Sequence, residues 1–192
     1  PEPSVSLPEP SVSLPEPSLS RDMDMYIQNL SDTHQILAQS TTFFHLYVTP
    51  SDKERIQNNG DILDGIRLTL NESTSKDFIT EFKSDANAVV IFPVFTAAAY
   101  QQDGFYSYFG GNCDESCITD LSFDTFTFSY GGSGATAQIL YHLGYDILTD
   151  AEVDKNPELL DSYETVVLLH NEYVTKKEFD AISTHPNLIF IH

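Results

Sequence analysis

The feature that most constrains the fold is a regular alternation of short apolar runs and helix-like segments in the second half of the chain. The apolar runs are Ala88 to Val94, Tyr145 to Asp150, Val166 to Leu169 and Asn187 to Ile191. Between them, apolar residues recur with helical spacing from Gly132 to Gly144 and from Thr175 onwards. Apolar strands that alternate with helices are typical of βαβ units in a parallel sheet with both faces covered. The sequence therefore predicts an α/β fold with a doubly wound, mostly parallel sheet.

Elements of the same two kinds are predicted further upstream. The segments Thr41 to Val48 and Ile66 to Leu70 are rich in aromatic and β-branched residues and are predicted to be strands. Ser51 to Glu54 has the pattern of a capping box, so a short helix is expected to begin after Ser51. A second helix is predicted from Thr74 to Ser84, where apolar residues share one face. Together these elements favour a flavodoxin-like or Rossmann-like architecture.

The first 20 residues have a different character from the rest of the chain. They read PEPSVSL, PEPSVSL and PEPSLS, and the prolines exclude a helix, because proline inside a helix costs about 3 kcal/mol. We expect a disordered, extended linker at 1–20 and a polar lead-in at 21–40. The α/β domain then occupies 41–192. Because the sequence stops in a strand-like segment at His192, we expect this domain to be truncated at its C-terminus.

The acidic composition excludes two classes of partner. The chain has 29 acidic and 9 basic residues and a formal net charge of −20. Such a charge repels phosphate backbones and anionic lipid headgroups, so we expect no binding of nucleic acid. No apolar run approaches the roughly 20 residues of a membrane-spanning helix, so we also expect no membrane insertion.

The only two cysteines, Cys113 and Cys117, lie close together in the sequence CDESC. They are expected to form a disulfide, and the alternatives are two free thiols or half of a metal site. A disulfide would indicate an exported protein. The sequons at Asn29 and Asn71 agree with export, and we therefore expect an extracellular or cell-surface location.

Polar side chains follow the apolar run VVLL directly. His170, Asn171 and Glu172 come at the carboxyl end of a predicted strand, where open α/β sheets bind ligands. Glu172 is not needed as a helix cap, because Thr175 and Glu178 already form a capping box for the next helix. His170 and Glu172 are therefore candidate catalytic residues, and Asn171 is a candidate substrate contact. The alternative is a strand end that is merely solvated.

Other strand ends and a long irregular stretch add further candidates. Asp150 ends one apolar run and is a candidate substrate contact, and Tyr100 follows another. Four aromatic residues, which either line a pocket or pack over the sheet, come next: Phe105, Tyr106, Tyr108 and Phe109. The glycine-rich segment Gly131 to Gly134 lacks the lysine and the spacing of a phosphate-binding loop. The sequence also has no serine or cysteine nucleophile elbow.

Four segments carry, in order, a resemblance to a known family: VVIFPVFTAAAYQQDG, LSFDTF, LYHLGYDILTD and PELLDSYETVVLLHNEYVT. Together they resemble the C-terminal domain of the N,N-dimethylformamidase large (beta) subunit-like family over roughly residues 88–192. The resemblance implies a class I glutamine amidotransferase-like fold. It also implies an amide hydrolase with a single iron ion that is held by two tyrosines and one glutamate, with a histidine nearby.

The resemblance assigns these roles to particular residues. Glu172 matches the glutamate ligand, Tyr100 matches one tyrosine ligand and His170 matches the nearby histidine. A carboxylate and phenolates are hard oxygen donors suited to Fe(III), which acidifies a bound water, and the histidine would act as a proton shuttle. Gln101 stands where the family usually has asparagine.

The chain departs from the family at the second tyrosine. Where the family has Ser-Phe-Asp-Arg-Pro-Tyr, this chain has Ser122-Phe-Asp-Thr-Phe-Thr127. Tyr130 is the candidate replacement as a metal ligand, and Asp124 is a candidate substrate contact. We expect an iron-dependent hydrolase-like domain that acts on a small-molecule amide. The alternatives are a non-catalytic cell-surface or ligand-binding domain that has lost the metal, and a nucleotide- or sugar-modifying enzyme of the same fold.

Overall fold

The computed structural model describes residues 36–58, 65–101, 103–119 and 131–191. Its strands are β1 Ile36–Ser40, β2 Phe44–Val48, β3 Arg67–Leu70, β4 Ala88–Phe92, β5 Asp146–Thr149, β6 Thr165–Leu169 and β7 Leu188–Ile191. Its helices are α1 Pro50–Gln57, α2 Ser75–Phe82, α3 Val94–Ala99, α4 Phe105–Phe109, α5 Ser116–Thr119, α6 Gly131–His142, α7 Asp150–Lys155 and α8 Lys176–Thr184, with a 3-10 helix at Pro157–Ser162. The predicted linker at 1–20 lies outside the described residues. In the described ranges, no helix combines the length and apolar character needed to cross a membrane.

The strands β4 to β7 form one parallel sheet. Their order is β5-β4-β6-β7, and each neighbouring pair runs in the same direction. The predicted α/β character with a mostly parallel sheet is therefore confirmed. The central strand is shorter than predicted, because it ends at Phe92 and α3 begins directly after Pro93, which has no amide hydrogen to donate.

Helices cover both faces of this sheet. Val90 and Phe92 of β4 point to one face and pack against α6. Val89 and Ile91 point to the opposite face and pack against α7 and α8. Because successive side chains of a strand alternate between the two faces, β4 is buried on both sides. The central strand thus fixes the position of α3, the short helix that comes directly after it.

The first three strands form a separate antiparallel sheet in the order β1-β2-β3, which the alternation of elements did not predict. The strand β1 lies within the segment that was expected to be a polar lead-in. Only residues 41–43 connect β1 to β2, and so short a connection permits an antiparallel hairpin but not a parallel pair. A hydrogen bond of 2.8 Å from the amide of Thr41 to the carbonyl of Phe44 closes the turn.

The first helix begins earlier than the sequence predicted. Its N-cap is Thr49, whose hydroxyl accepts a hydrogen bond from the amide of Asp52 at 3.1 Å, and not Ser51. Pro50 explains the difference, because proline is favoured at the first helical position. The predicted capping box at Ser51 is therefore wrong by two residues.

A buried side chain, that of Gln138, joins α6 to the antiparallel sheet. Its Oε1 accepts a hydrogen bond from the amide of Leu68 in β3 at 2.8 Å, and its Nε2 donates to the carbonyl of Ile66 at 2.8 Å. A third bond of 3.2 Å goes to the carbonyl of Gly134. Since the side chain is fully buried, these bonds hold β3 in register against α6.

We expect the substitution Gln138→Leu to lower the free energy of unfolding by about 2 kcal/mol, because the buried amide of Leu68 and the partly buried carbonyl of Ile66 lose their hydrogen bonds to this side chain. Urea denaturation followed by circular dichroism measures the change. The control is Gln57→Leu, at an exposed position of α1, which should change stability by less than about 0.5 kcal/mol. Equal effects of the two substitutions would contradict the role of Gln138.

Candidate functional site

A cleft opens at the carboxyl end of β6, beside β7. Its volume is about 280 Å3, and the residues that line it are Leu168, His170, Asn171, Glu172, Phe190 and Ile191. The three polar residues are those that the sequence placed at this strand end. Phe190, which is 70% exposed, and Ile191 belong to β7 and form an apolar wall. The cleft therefore combines polar groups on one side with apolar surface on the other.

The chain turns sharply where it leaves β6. His170 has a φ of 53°, in the left-handed region that residues other than glycine seldom adopt. Asn171 stabilises the turn, because its Oδ1 accepts a hydrogen bond from the amide of Leu169 at 2.9 Å. The amide of Glu172 donates to the carbonyl of His170 at 3.1 Å. His170 and Glu172 therefore come together through a turn and not through the period of an extended strand.

The fully buried Thr96 of α3 holds this turn against the neighbouring strand end. Its Oγ1 accepts hydrogen bonds from the amides of Glu172 and Tyr173, at 3.0 and 3.1 Å. Since α3 comes directly after β4 and the turn comes directly after β6, one hydroxyl connects the segments that leave two adjacent strands. The backbone of Glu172 is thus fixed in position.

Tyr100, at the C-cap of α3, brings a phenol to the Glu172 carboxylate. The Tyr100 hydroxyl donates to Oε2 at 2.8 Å, and Nε2 of His170 lies 3.0 Å from Oε1 of the same carboxylate. The three residues that were singled out from the sequence therefore meet, with Glu172 in the middle. Tyr100 is 46% exposed, so a ligand can approach this group from solvent.

A fourth side chain, that of Tyr106 in α4, belongs to the same group and was not recognised from the sequence. Its hydroxyl lies 3.3 Å from the Tyr100 hydroxyl, and the centroids of the two rings are 4.4 Å apart. Sequence reasoning placed Tyr106 only in a stripe of aromatic residues. The signal that could have found it is Gly104, which allows the chain to fold back between the two tyrosines.

These contacts raise the pKa of Tyr100 above its usual range. The hydrogen bond with Tyr106 is the largest cause, followed by the hydrogen bond with the Glu172 carboxylate and by desolvation. A hydrogen bond from the neutral phenol to a carboxylate favours the protonated form. The Tyr100 phenol therefore keeps its proton at neutral pH unless a cation takes the place of that proton.

Asp150, which was predicted to contact substrate, lies inside the protein as the first residue of α7. It is fully buried, and its Oδ1 and Oδ2 accept hydrogen bonds of 3.0 Å from the amides of Val94 and Phe95. These are the first two residues of α3. Asp150 therefore positions the helix that carries Thr96 and Tyr100.

The remaining predicted residues differ in how the structure places them. Asn171 lines the cleft, and its Nδ2 is buried without a hydrogen-bond partner in the described part of the chain. Asp124 and Tyr130 lie outside the described residues. Cys113 and Cys117 are joined by a disulfide, which is one of the three states that the sequence left open.

The donor set at this sheet edge suits a hard, highly charged cation. Among the described residues, no three side chains of His, Cys, Asp or Glu come together as a metal site. A metal at this edge would therefore have to use phenol oxygens beside the Glu172 carboxylate, and such oxygens match Fe(III). No known protein family, curated protein or solved structure matches the chain.

Proposed function

We propose that the chain is an iron-dependent amide hydrolase-like domain of an exported protein. The observation that carries the proposal is the contact of one carboxylate, that of Glu172, with both the Tyr100 hydroxyl and the His170 imidazole. Three chemically different groups meet there, and two of them, those of His170 and Glu172, line the cleft. A solvated strand end would not require a phenol from another element to meet the same carboxylate.

Glu172 and Tyr100 are the residues that would hold the metal. Their oxygens are 2.8 Å apart, with the phenol proton between them, so loss of that proton would leave two anionic oxygens facing a common position. When bound, Fe(III) would supply Lewis acidity, which lowers the pKa of a water ligand and polarises a carbonyl. Thr96 contributes by fixing the backbone of Glu172, so that the carboxylate is already in place before a cation arrives.

His170 would move the proton during hydrolysis. Its Nε2 lies 3.0 Å from Oε1 of Glu172, which orients the ring towards the cleft. Addition of water to an amide carbonyl releases a proton, and breaking of the C–N bond requires one on the departing nitrogen. An imidazole at this position can accept the first proton and return the second, which is general acid–base catalysis.

The walls of the cleft favour a small, uncharged substrate. Leu168, Phe190 and Ile191 provide apolar surface, and the volume of about 280 Å3 holds only a small molecule. Asn171 also lines this surface, but its Nδ2 is buried, so the side chain would have to turn towards the cleft to bind the carbonyl oxygen of the amide. An anionic substrate is disfavoured by the net charge of −20.

The wider setting is also part of the proposal. A parallel sheet with helices on both faces and a site at the carboxyl ends of the strands is compatible with a flavodoxin-like or class I glutamine amidotransferase-like architecture. The disulfide between Cys113 and Cys117 supports export, because disulfides persist in oxidising compartments. An extracellular or cell-surface location is the corresponding proposal for where the protein acts.

Titration of the metal-free full chain with Fe(III) citrate tests the proposal. We expect stoichiometric binding and the visible absorption of a phenolate-to-iron charge transfer, together with hydrolysis of small amides. Glu172→Gln should weaken iron binding by roughly 100-fold or more, since it replaces an anionic oxygen ligand with a neutral amide.

The matched control is Glu164→Gln, because Glu164 is exposed and lies before β6, at the opposite end of that strand from the cleft. This variant should bind iron as the parent does. Absence of iron binding in the parent protein would contradict the proposal and would leave the non-catalytic ligand-binding domain as the better description.

A further inference from the structure

We infer that Tyr106 supplies the second phenol oxygen of the metal site. The segment from Ser122 to Thr127, where the resemblance would place a second tyrosine, contains none. The inference rests on the proposed function, because it concerns the same iron. It differs from the expectation that Tyr130 fills this role.

The positions of the two hydroxyls carry the inference. The Tyr106 hydroxyl lies 3.3 Å from that of Tyr100, which itself lies 2.8 Å from Oε2 of Glu172. The three oxygens thus form one continuous chain of hydrogen-bond contacts, which starts at Glu172 in the lining of the cleft. A cation that displaces the phenol protons would therefore find three oxygen donors in consecutive contact.

The backbone around Gly104 is built for this approach. A Cβ at Gly104 would lie 2.2 Å from the carbonyl oxygen of Ala98 and 2.7 Å from that of Ala99, so no side chain fits there. Gly104 therefore allows the start of α4 to pack directly on the end of α3. This close packing is what places Tyr106 over Tyr100.

The orientation of the Tyr106 ring is also constrained. On one side it packs on Tyr100 at a tilt of 38°. On another side the ring of Tyr173 meets it edge to face, at an angle of 87° and a centroid distance of 6.2 Å. Contacts of this geometry are favourable for aromatic pairs and restrict the swing of the ring. Its hydroxyl is therefore held near that of Tyr100.

The charges of the donor set agree with a trivalent ion. Two phenolates and one carboxylate carry three negative charges, which balance the charge of Fe(III). Each phenol loses one proton when its oxygen binds the metal, so binding at this set releases two phenol protons. A site with Tyr100 alone would release one.

The test counts the phenolates directly. Ga(III), which has the charge of Fe(III) and no redox chemistry, is titrated into the metal-free full chain, and tyrosinate formation is followed by ultraviolet difference absorption. We expect two tyrosinates per bound ion in the parent protein and one in Tyr106→Phe. With Fe(III), the same variant should lose about half of the charge-transfer absorption and bind roughly tenfold or more weakly. Tyr108→Phe, on the same helix, is the matched control and should behave as the parent.

A second variant keeps the phenol of Tyr106 but changes its position. Gly104→Ala keeps both tyrosines but pushes α4 away from α3, so it should also give one tyrosinate per ion. The inference is overturned, and the proposed function stands, if the parent binds both ions and Tyr106→Phe gives the same counts as Tyr108→Phe. Both are overturned if the parent binds neither ion.

Discussion

Replacing Glu178 with glutamine is expected to stabilise the protein at alkaline pH and to leave its stability unchanged near pH 4.5. Glu178 lies in the first turn of α8, it is fully buried, and neither of its carboxylate oxygens has a hydrogen-bond partner among the described residues. Burial, and to a lesser extent the charge of Asp154, raise its pKa to about 8 from a usual value of 4.5. Glutamine has the shape of the protonated carboxyl and cannot ionise.

The sign of the pH dependence follows from the proton that the folded state keeps. Between pH 4.5 and about 8 the folded protein holds a proton on Glu178 that the unfolded chain has lost, so stability falls as the pH rises through this range. At about 1.4 kcal/mol for each unit of pKa, the loss approaches roughly 3 to 5 kcal/mol above pH 8. Glu178→Gln should abolish this part of the pH dependence.

Acidic groups face Glu178 from the helix that packs against it. Asp150 and Asp154, both in α7, are the neighbours whose charges interact with it. The amide of Thr175 approaches the carboxylate without meeting hydrogen-bond geometry, and it offsets part of the rise in pKa. No cation of the described residues forms an ion pair with Glu178. Burial and the nearby acidic groups therefore both oppose the ionisation of Glu178.

Chemical denaturation at pH 5, 7 and 9 measures this prediction. The difference in unfolding free energy between Glu178→Gln and the parent should grow with pH, while Glu164→Gln, at an exposed position, should follow the parent throughout. A difference that does not change between pH 5 and pH 9 would show that Glu178 titrates normally.

The parallel half of the fold was predictable because its signals are local. The strands from β4 to β7 are short apolar runs, and helical spacing separates most of them, so the element types follow from the sequence. The antiparallel sheet was not predictable to the same degree. The strand β1 has only two half-buried residues, Ile36 and Ala38, and takes its conformation from pairing with β2.

Some residues of the site were likewise predictable from the sequence, and others were not. His170, Glu172 and Tyr100 stand at the ends of predicted strands or of apolar sequence, and topology alone brings such ends to one edge of the sheet. Tyr106 was missed because its place depends on the packing of α4 on α3, which no periodicity encodes. The role of Asp150 was missed because a polar residue at a strand end can point into the protein as well as towards a ligand.

Because Asp150 positions α3, the second large effect is expected for Asp150→Ala. This substitution should lower the free energy of unfolding by about 2 to 4 kcal/mol. The substitution leaves the amides of Val94 and Phe95 buried without acceptors, and each such group costs about 1 to 3 kcal/mol. Removal of a buried acid, whose pKa is raised by desolvation and by Glu178, returns part of this cost. Asp150→Asn retains one acceptor oxygen and should lose less.

The effect of Asp150→Ala should reach the site through α3 and not by direct contact. Hydrogen exchange of the amides from 94 to 100 should accelerate, and Tyr100 should lose its fixed approach to Glu172, so that iron binding weakens along with stability. Asp161→Ala, at an exposed position of the 3-10 helix, should change neither quantity. If Asp150→Ala lowered stability while exchange in α3 stayed at the parental rate, the carboxylate would stabilise the core without positioning α3. The assembly of the site would then depend on Thr96 and on the turn after β6.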